Sequence, residues 1–273
     1  MKALLYSILC SILGCVTLGC QWIHGFEDFE ACGGGPPPTA QGGPMSMITR
    51  PDGSCYWMDR FEVTRAEYNA FAGGLDEPSK LDPAPGTDCT WNTTFRDADC
   101  ERAAATDDEQ PAVCVDRCDA LAFCAEMGKH LCHGDQRLAE DPVRDEFFAA
   151  CSAAELSSET CNLATLGGAT TPWPVNAQLE CGADGGPFHL LGNVMEWMGG
   201  DESCAPAATD LAEPPCPATA GADPDAGTFS TACCMLRGGS FNTSIESAGC
   251  GRYHELNPTT RRPDVGFRCC LAP

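Results

Sequence analysis

Apolar residues in this chain fall into short clusters that are separated by long polar stretches. Residues 55–63 are aromatic and partly alternate with polar residues, a pattern that predicts a strand. Thr64 and Glu67 follow with the spacing of a capping box, in which each residue satisfies a backbone N–H of the other. We therefore predict a short helix that begins after Thr64 and ends at the glycine pair at 73–74.

Two further helices and three short strands follow from similar signals. One helix is predicted from the N-cap Asp116 through Met127, and a second from the N-cap Asp141 with Pro142 in its first turn. Short strands are predicted at 190–198, 234–237 and 265–271. No internal repeat is visible. The pattern indicates a single irregular α+β domain with little regular secondary structure.

Two acidic stretches are predicted to be long loops: 75–112, which contains few core residues, and 201–228, which is rich in proline and alanine. Each contains a pair of cysteines. We expect a disulfide between Cys89 and Cys100 to close the first loop, and one between Cys204 and Cys216 to close the second.

The N-terminus has the layout of a secretory signal peptide. Lys2 is the only charged residue before an apolar run from Ala3 to Gly19, so residues 1–19 are predicted to be the signal. Cys20 follows the small residue Gly19, as the acylated cysteine does in bacterial lipoproteins, and Cys15 is the alternative site. We expect lipid attachment at Cys20 and an outer-membrane lipoprotein that faces the periplasm or the cell surface.

Residues 20–44 are rich in glycine and proline and are predicted to be a tether, which leaves residues 45–273 as the globular domain. The chain contains 21 cysteines, a density typical of disulfide-rich proteins in an oxidising compartment. The 18 cysteines that follow Cys20 can all pair, whereas acylation of Cys15 would leave one over.

Charge and histidine spacing exclude several functions. The net charge of −23 repels phosphate backbones, so we expect no nucleic acid partner. The chain carries five histidines, and His130 and His133 around Cys132 are too isolated to form a zinc motif. We expect a monomer.

Four segments in register resemble the formylglycine-generating enzyme family, also called the sulfatase-modifying factor domain. They are residues 59–71 (DRFEVTRAEYNAF), 115–131 (VDRCDALAFCAEMGKHL), 192–197 (GNVMEW), and 236–241 (LRGGSF) together with 266–269 (GFRC). The resemblance extends over residues 45–271. It implies a core similar to that of C-type lectins and a disulfide between Cys124 and Cys269.

The resemblance also implies a catalytic site, which is only half present. Enzymes of this family oxidise a sulfatase cysteine to formylglycine with O₂ and copper, and two thiolates in a C-x-x-x-x-C arrangement hold Cu(I). Cys250 matches the second thiolate and Ser240 matches a nearby serine, but Ile245 occupies the position of the first thiolate. We therefore expect no copper-dependent activity. We also expect Cys250 to be bonded to another cysteine, with Cys233 and Cys234 as the nearest partners.

A calcium site of the family matches Gly192, Val194, Glu196 and His189. Calcium prefers oxygen ligands, and His189 offers nitrogen where the family has Asn or Asp, so the resemblance implies a degraded calcium site.

Three functions are compatible with these patterns, and the sequence does not decide whether the chain is an enzyme. The first is an exported, lipid-anchored protein whose domain lacks the oxidase activity and binds an envelope protein or a glycan. The second is an oxidase with copper on Cys250 and a second thiolate from Cys233 or Cys234. The third is a purely structural envelope protein.

Overall fold

The computed structural model describes residues 41–74, 89, 91–104, 107–134, 140–154, 156, 159–164, 170–182, 185–200 and 233–273. The predicted signal peptide, Cys20, most of the tether and the pair Cys204 and Cys216 lie outside the described residues. Among the described helices, none combines the length and hydrophobicity needed to cross a membrane. Gln41 donates a backbone hydrogen bond to Met127 (3.0 Å), so the last residues of the predicted tether already contact the domain.

The described residues contain four short α-helices: α1 (Arg65–Gly73), α2 (Ala98–Ala103), α3 (Arg117–Glu126) and α4 (Glu146–Ala153). The predicted capping box of α1 forms, because Thr64 Oγ1 accepts from the backbone of Glu67 while Glu67 accepts from the backbone of Thr64. Asp116 is the N-cap of α3, as predicted, and the helix ends one residue before Met127.

Helix α4 begins later than its sequence predicts. Its N-cap is Asp145, and Asp141 with Pro142 instead forms a turn in which the Arg144 and Asp145 amides donate to the Asp141 carbonyl. Tertiary contacts set this start, because the Glu146 amide donates to the carbonyl of His133 (3.0 Å). The prediction from Asp-Pro was therefore wrong by one helical turn.

In the part of the chain that the structure describes, eight short strands form two mainly antiparallel sheets. The first has the order β1-β2-β8-β3 and the second has the order β6-β5-β4-β7, in which only the β4–β7 pair is parallel. The strands are β1 (Met45–Thr49), β2 (Cys55–Asp59), β3 (His130–Leu131), β4 (Met195–Trp197), β5 (Cys234–Arg237), β6 (Tyr253–Leu256), β7 (Val265–Gly266) and β8 (Cys269–Leu271). The predicted strand at 234–237 is confirmed as β5, only Met195–Trp197 of the strand predicted at 190–198 form β4, and the one predicted at 265–271 divides into β7 and β8.

The core consists of two buried clusters. An aromatic cluster brings Phe71 of α1 and Phe123 of α3 together with Phe267, with ring centroids 5.3 Å and 5.4 Å apart. A second cluster packs Phe147 of α4 against Met198 and Met235. Each large side chain buried in this way contributes roughly 1.5–3 kcal/mol relative to exposure. The two clusters hold the sheets against the helices in a domain that has little regular secondary structure.

Disulfide bonds complete the fold. The bond between Cys124 and Cys269, which the family resemblance implied, is present with Cα atoms 5.5 Å apart. The other bonds between described residues are Cys89–Cys118, Cys100–Cys114, Cys132–Cys270, Cys151–Cys250 and Cys161–Cys181.

The predicted bond between Cys89 and Cys100 was wrong. Helix α2 forms within the polar stretch that contains both residues, and it places Cys100 next to Cys114 while Cys89 reaches the first turn of α3. A bond requires Cα atoms within about 7 Å, and shared membership of one loop does not ensure this distance.

Candidate functional site

Cys250, which matches the second copper ligand of the family, is disulfide-bonded as expected, to Cys151 of α4 across a Cα–Cα distance of 5.5 Å. Cys233 and Cys234, which were expected as its nearest partners, are disulfide-bonded too, but not to Cys250. The predicted partners of Cys250 were therefore wrong. The reason is positional, because β6 pairs antiparallel with β5 and starts opposite Arg237, so Cys250 lies near the end of β5 that is far from Cys234.

Arg237 at the end of β5 sets the position of the loop that carries Cys250. Its Nη1 donates to the carbonyl oxygens of Cys250 (3.1 Å) and Arg252 (3.3 Å), and its Nη2 forms a fully buried ion pair with Asp145. Since Asp145 is also the N-cap of α4, one arginine joins the start of that helix to the backbone beside Cys250. The side chains of Cys151 and Cys250 are thereby brought within bonding distance.

Ser240 is a buried turn residue. Its hydroxyl donates to Asp264 Oδ2 (3.3 Å) and accepts from the Asn242 amide (3.2 Å). The turn requires Gly238, which has a φ of +86° and whose Cα lies so close to the Leu190 carbonyl that a Cβ would clash at 2.8 Å. The structure therefore gives Ser240 a structural role in a turn and no hydrogen bond to Cys250.

The described residues do not fit a Cu(I) ion of the family type. Such a site needs two thiolates, whereas every cysteine among the described residues is disulfide-bonded. A disulfide sulfur carries no negative charge and is a poor ligand. No catalytic step through copper follows from this arrangement.

A polar cleft of about 390 Å³ opens beside Ser240. The side chains that line it include Asn242, Thr243, His254, Arg262 and Asp264. Arg262 forms a two-pronged ion pair with Asp264 at 2.9 Å and 2.8 Å, which keeps the carboxylate in place at the edge of the cleft. Hydroxyl, amide and charged groups thus converge on one concave surface.

The residues matched to the family's calcium site do not fit calcium. Arg268 donates to both carboxylate oxygens of Glu196 at 2.7 Å, so a fixed cation already occupies the place of a metal ion. Burial lowers the pKa of His189 to about 4, which keeps its ring neutral. Its Nε2 donates to the Ala177 carbonyl (2.8 Å), and the side chain has no oxygen with which to bind calcium.

Gly192 and Asn193 instead support the backbone around Glu196. Gly192 has a φ of +78°, and a Cβ there would lie 2.3 Å from the Asn162 carbonyl oxygen, so only glycine fits. Asn193 accepts from the Trp173 amide (2.7 Å) and donates to Glu62 Oε1 (3.0 Å). Val194 is fully buried beside them. Residues 192–196 therefore have a structural role in this chain, through close packing and buried hydrogen bonds.

Glu62 is a buried acid that sequence reasoning did not single out. Burial, together with the neighbouring Glu196, raises its pKa to about 8 against the opposing effect of Arg268. Its position in the 59–71 segment could have drawn attention to it, but its partners lie more than 130 residues away.

Comparison with known proteins agrees with the fold. The family model described as "Sulfatase-modifying factor enzyme 1-like domain" matches residues 31–273. No curated protein matches the chain significantly. Among solved structures, PvdO from Pseudomonas aeruginosa is similar with a TM-score of 0.50 and 18% identity, over 84% of this chain and 90% of PvdO.

Two further structures match less well. Treponema denticola variable protein 1 has a TM-score of 0.49 and 17% identity over 84% of this chain and 95% of that protein. CarF has a TM-score of 0.48 and 14% identity over 81% of this chain and 87% of that protein. The family match over residues 31–273, together with the C-type-lectin-like α+β architecture, establishes that the chain belongs to the sulfatase-modifying factor enzyme 1-like family.

Proposed function

We propose that this chain is an exported, lipid-anchored protein whose sulfatase-modifying factor domain lacks the copper-dependent oxidase activity and serves as a binding module at the cell envelope. The observation that carries the proposal is the bond between Cys151 and Cys250. It removes the one thiolate that the sequence shares with the oxidases, and Ile245 replaces the other. Fold similarity transfers no activity when the reacting groups differ.

The bonded state of Cys250 has structural support. Arg237 and Asp145 hold the two partners' backbones together, and Cys151 is almost fully buried at 1% exposure. A buried bond of this kind is shielded from reductants. Cys233 and Cys234 are disulfide-bonded as well, which argues against an oxidase that recruits a thiolate from either of them.

The polar cleft offers a ligand several hydrogen-bonding groups on one concave surface. Its amide, hydroxyl and charged groups match the hydrogen-bonding needs of a hydroxyl-rich ligand such as a glycan. The density of disulfide bonds fits an extracellular or periplasmic setting, where such bonds persist.

The loss of oxidase activity is tested by thiol counting and Cu(I) loading. Alkylation of the denatured, unreduced protein is expected to label no cysteine after Cys20. The natively folded protein, with or without mild reduction, is expected to bind no stoichiometric Cu(I) and to consume no O₂ with a cysteine-containing peptide. Two labelled cysteines including Cys250, or copper-dependent O₂ consumption, would restore the oxidase hypothesis.

The binding role is tested on a glycan array with the detergent-solubilised full chain. The variant Asn242→Ala removes an exposed amide from the cleft, and Asn176→Ala removes an exposed amide elsewhere and serves as the matched control. We expect binding that Asn242→Ala weakens and Asn176→Ala leaves unchanged. Absence of binding to glycans and to envelope proteins would favour the purely structural hypothesis.

The lipid anchor is tested by Cys20→Ala, with Cys15→Ala as the matched control. We expect Cys20→Ala to abolish acyl labelling and release the protein from membranes, while Cys15→Ala remains anchored. The reverse result would move the lipid to Cys15, and retention of both variants would argue for an anchor without lipid.

A further inference from the structure

Two histidines and one carboxylate meet at the surface where β3 approaches α4. His130 Nε2 lies 3.0 Å from Glu146 Oε2, and the imidazole rings of His130 and His133 have centroids 4.6 Å apart. One ligand atom from each of the three side chains lies within 4.8 Å of the other two. None of these residues belongs to the copper or calcium sites implied by the family resemblance.

These distances are close to those of a zinc site. Zinc binds histidine nitrogen and carboxylate oxygen at about 2.1 Å, so ligand atoms of a tetrahedral site lie about 3.4 Å apart. His130 Nε2 and Glu146 Oε2 lie 3.0 Å apart, slightly closer than that separation, so a small movement of either side chain would admit the ion. A ring nitrogen of His133, whose side chain is exposed, lies within 4.8 Å of both atoms.

Backbone hydrogen bonds between residues 133 and 146 hold the Glu146 carboxylate in place. The amide of His133 donates to Glu146 Oε2 (2.8 Å), and the amide of Glu146 donates to the His133 carbonyl (3.0 Å). Such outer contacts orient metal ligands and reduce the cost of assembling a site. The ring of His133 lies against Gly200, where a Cβ would come within 3.2 Å of the ring, so glycine leaves room for it.

The carboxylate of the cluster is buried and the two histidines are more exposed, which leaves one side of the cluster open to an ion from solvent. The Glu146 side chain is 6% exposed, whereas that of His130 is 30% exposed and His133 faces solvent. An ion can therefore enter from the histidine side, and water can complete its coordination. Cys132 lies between the two histidines but is bonded to Cys270, so its sulfur is excluded as a ligand.

Arg50 is the competing cation. Its Nη2 lies 3.4 Å from Glu146 Oε1, while its guanidinium stacks over the Tyr56 ring at 4.3 Å. Arg50 contacts Oε1, whereas Oε2 accepts from the His133 amide and lies nearest to His130 Nε2. A carboxylate oxygen has two lone pairs, so Oε2 keeps one for a metal ion. The arginine lowers the affinity of the site without blocking it.

We infer that His130, His133 and Glu146 form a binding site for one divalent transition-metal ion of the zinc type. Two imidazoles and one carboxylate are ligands that zinc accepts together, with water in the fourth position. The inference is independent of the proposed binding role, since the polar cleft shares none of these residues.

The test is zinc binding by the detergent-solubilised full chain, measured in competition with a chromophoric chelator. We expect one zinc ion per chain and a dissociation constant that rises at least tenfold in His133→Ala. His133 is exposed and its removal leaves the pair between His130 and Glu146 intact, so the variant is expected to fold. The control His24→Ala also removes one histidine and is expected to bind zinc like the wild type.

Thermal unfolding gives a second readout. Zinc is expected to raise the Tm of the wild type and of His24→Ala, because a ligand that binds only the native state stabilises it, and to raise that of His133→Ala less. Equal zinc affinity in all three proteins, or no stoichiometric binding by the wild type, would overturn the inference and leave the cluster as an ion pair with a neighbouring imidazole.

Discussion

At the scale of single residues, Arg268 organises the interior. It is fully buried and donates to Glu196, to the Asp59 carbonyl (3.2 Å) and to the Phe188 carbonyl (2.9 Å). Removing one partner of such a buried pair typically costs about 3–5 kcal/mol, because a charge is left without compensation. The sequence motifs identified Arg268 and Glu196 as family positions. The sequence alone did not reveal their pairing, because 72 residues separate them.

Glu62 gives a prediction about pH. Its pKa is about 8 in the folded chain against an ordinary value of 4.5, so between these values the unfolded state ionises and the folded state keeps its proton. The stability that this group contributes is complete below about pH 4.5 and is lost as the pH rises toward 8. Glu62→Gln stays neutral and keeps an oxygen for the Asn193 amide, so it is expected to lose less stability over this range.

The measurement is urea unfolding of both proteins at pH 5, 6.5 and 8. Burial also raises the pKa of Asp59 to about 6 and that of Asp119 to about 7, but these carboxyls are present in both proteins and largely cancel in the difference. A difference in unfolding free energy that does not change with pH would show that Glu62 titrates normally.

At the scale of elements, local signals predicted a helix well when its cap lay within the same turn. Thr64 with Glu67, and Asp116 with Asp119, form their capping boxes as the sequence indicates. The start of α4 was mispredicted because its N-cap, Asp145, is held by an ion pair with Arg237, which is 92 residues away. No local sequence pattern predicts that contact. The cluster of His130, His133 and Glu146 was missed for the same reason, since it forms only once α4 packs beside β3.

The cap of α1 gives a stability prediction. Thr64→Ala removes the hydroxyl that accepts from the Glu67 amide (3.2 Å), and it is expected to lower the unfolding free energy by about 1 kcal/mol. Thr64→Ser keeps the hydroxyl and is expected to lose much less. Urea unfolding of the three proteins checks this, and equal losses in the two variants would show that the methyl group and not the cap matters.

At the scale of the whole molecule, three disulfides connect distant parts of the chain. The bonds Cys124–Cys269, Cys132–Cys270 and Cys151–Cys250 span 145, 138 and 99 residues. The sequence predicted a disulfide-rich domain and, through its family resemblance, the first of these bonds. It did not predict the other two, because cysteine positions alone allow many pairings.

Reduction is expected to unfold the domain. Each bond stabilises the native state by roughly 2–4 kcal/mol, mainly by restricting the unfolded chain, and the short strands and helices bury too little surface to replace that contribution. The check is thermal unfolding with and without strong reductant, followed by near-UV circular dichroism. An equal Tm in both samples would show that core packing alone maintains the fold.

The adjacent residues Cys269 and Cys270 constrain the order in which the disulfide bonds of this protein can form. They lie near the end of the chain and are bonded to Cys124 and Cys132, on two different parts of the domain. A chain that emerges from its N-terminus therefore exposes Cys124, Cys132 and Cys151 as thiols long before their partners are synthesised. Oxidation in order of appearance would join these three to the wrong residues. We therefore expect correct pairing to require thiol exchange once Cys269 and Cys270 are available, and a catalyst of disulfide rearrangement to raise the yield of native protein.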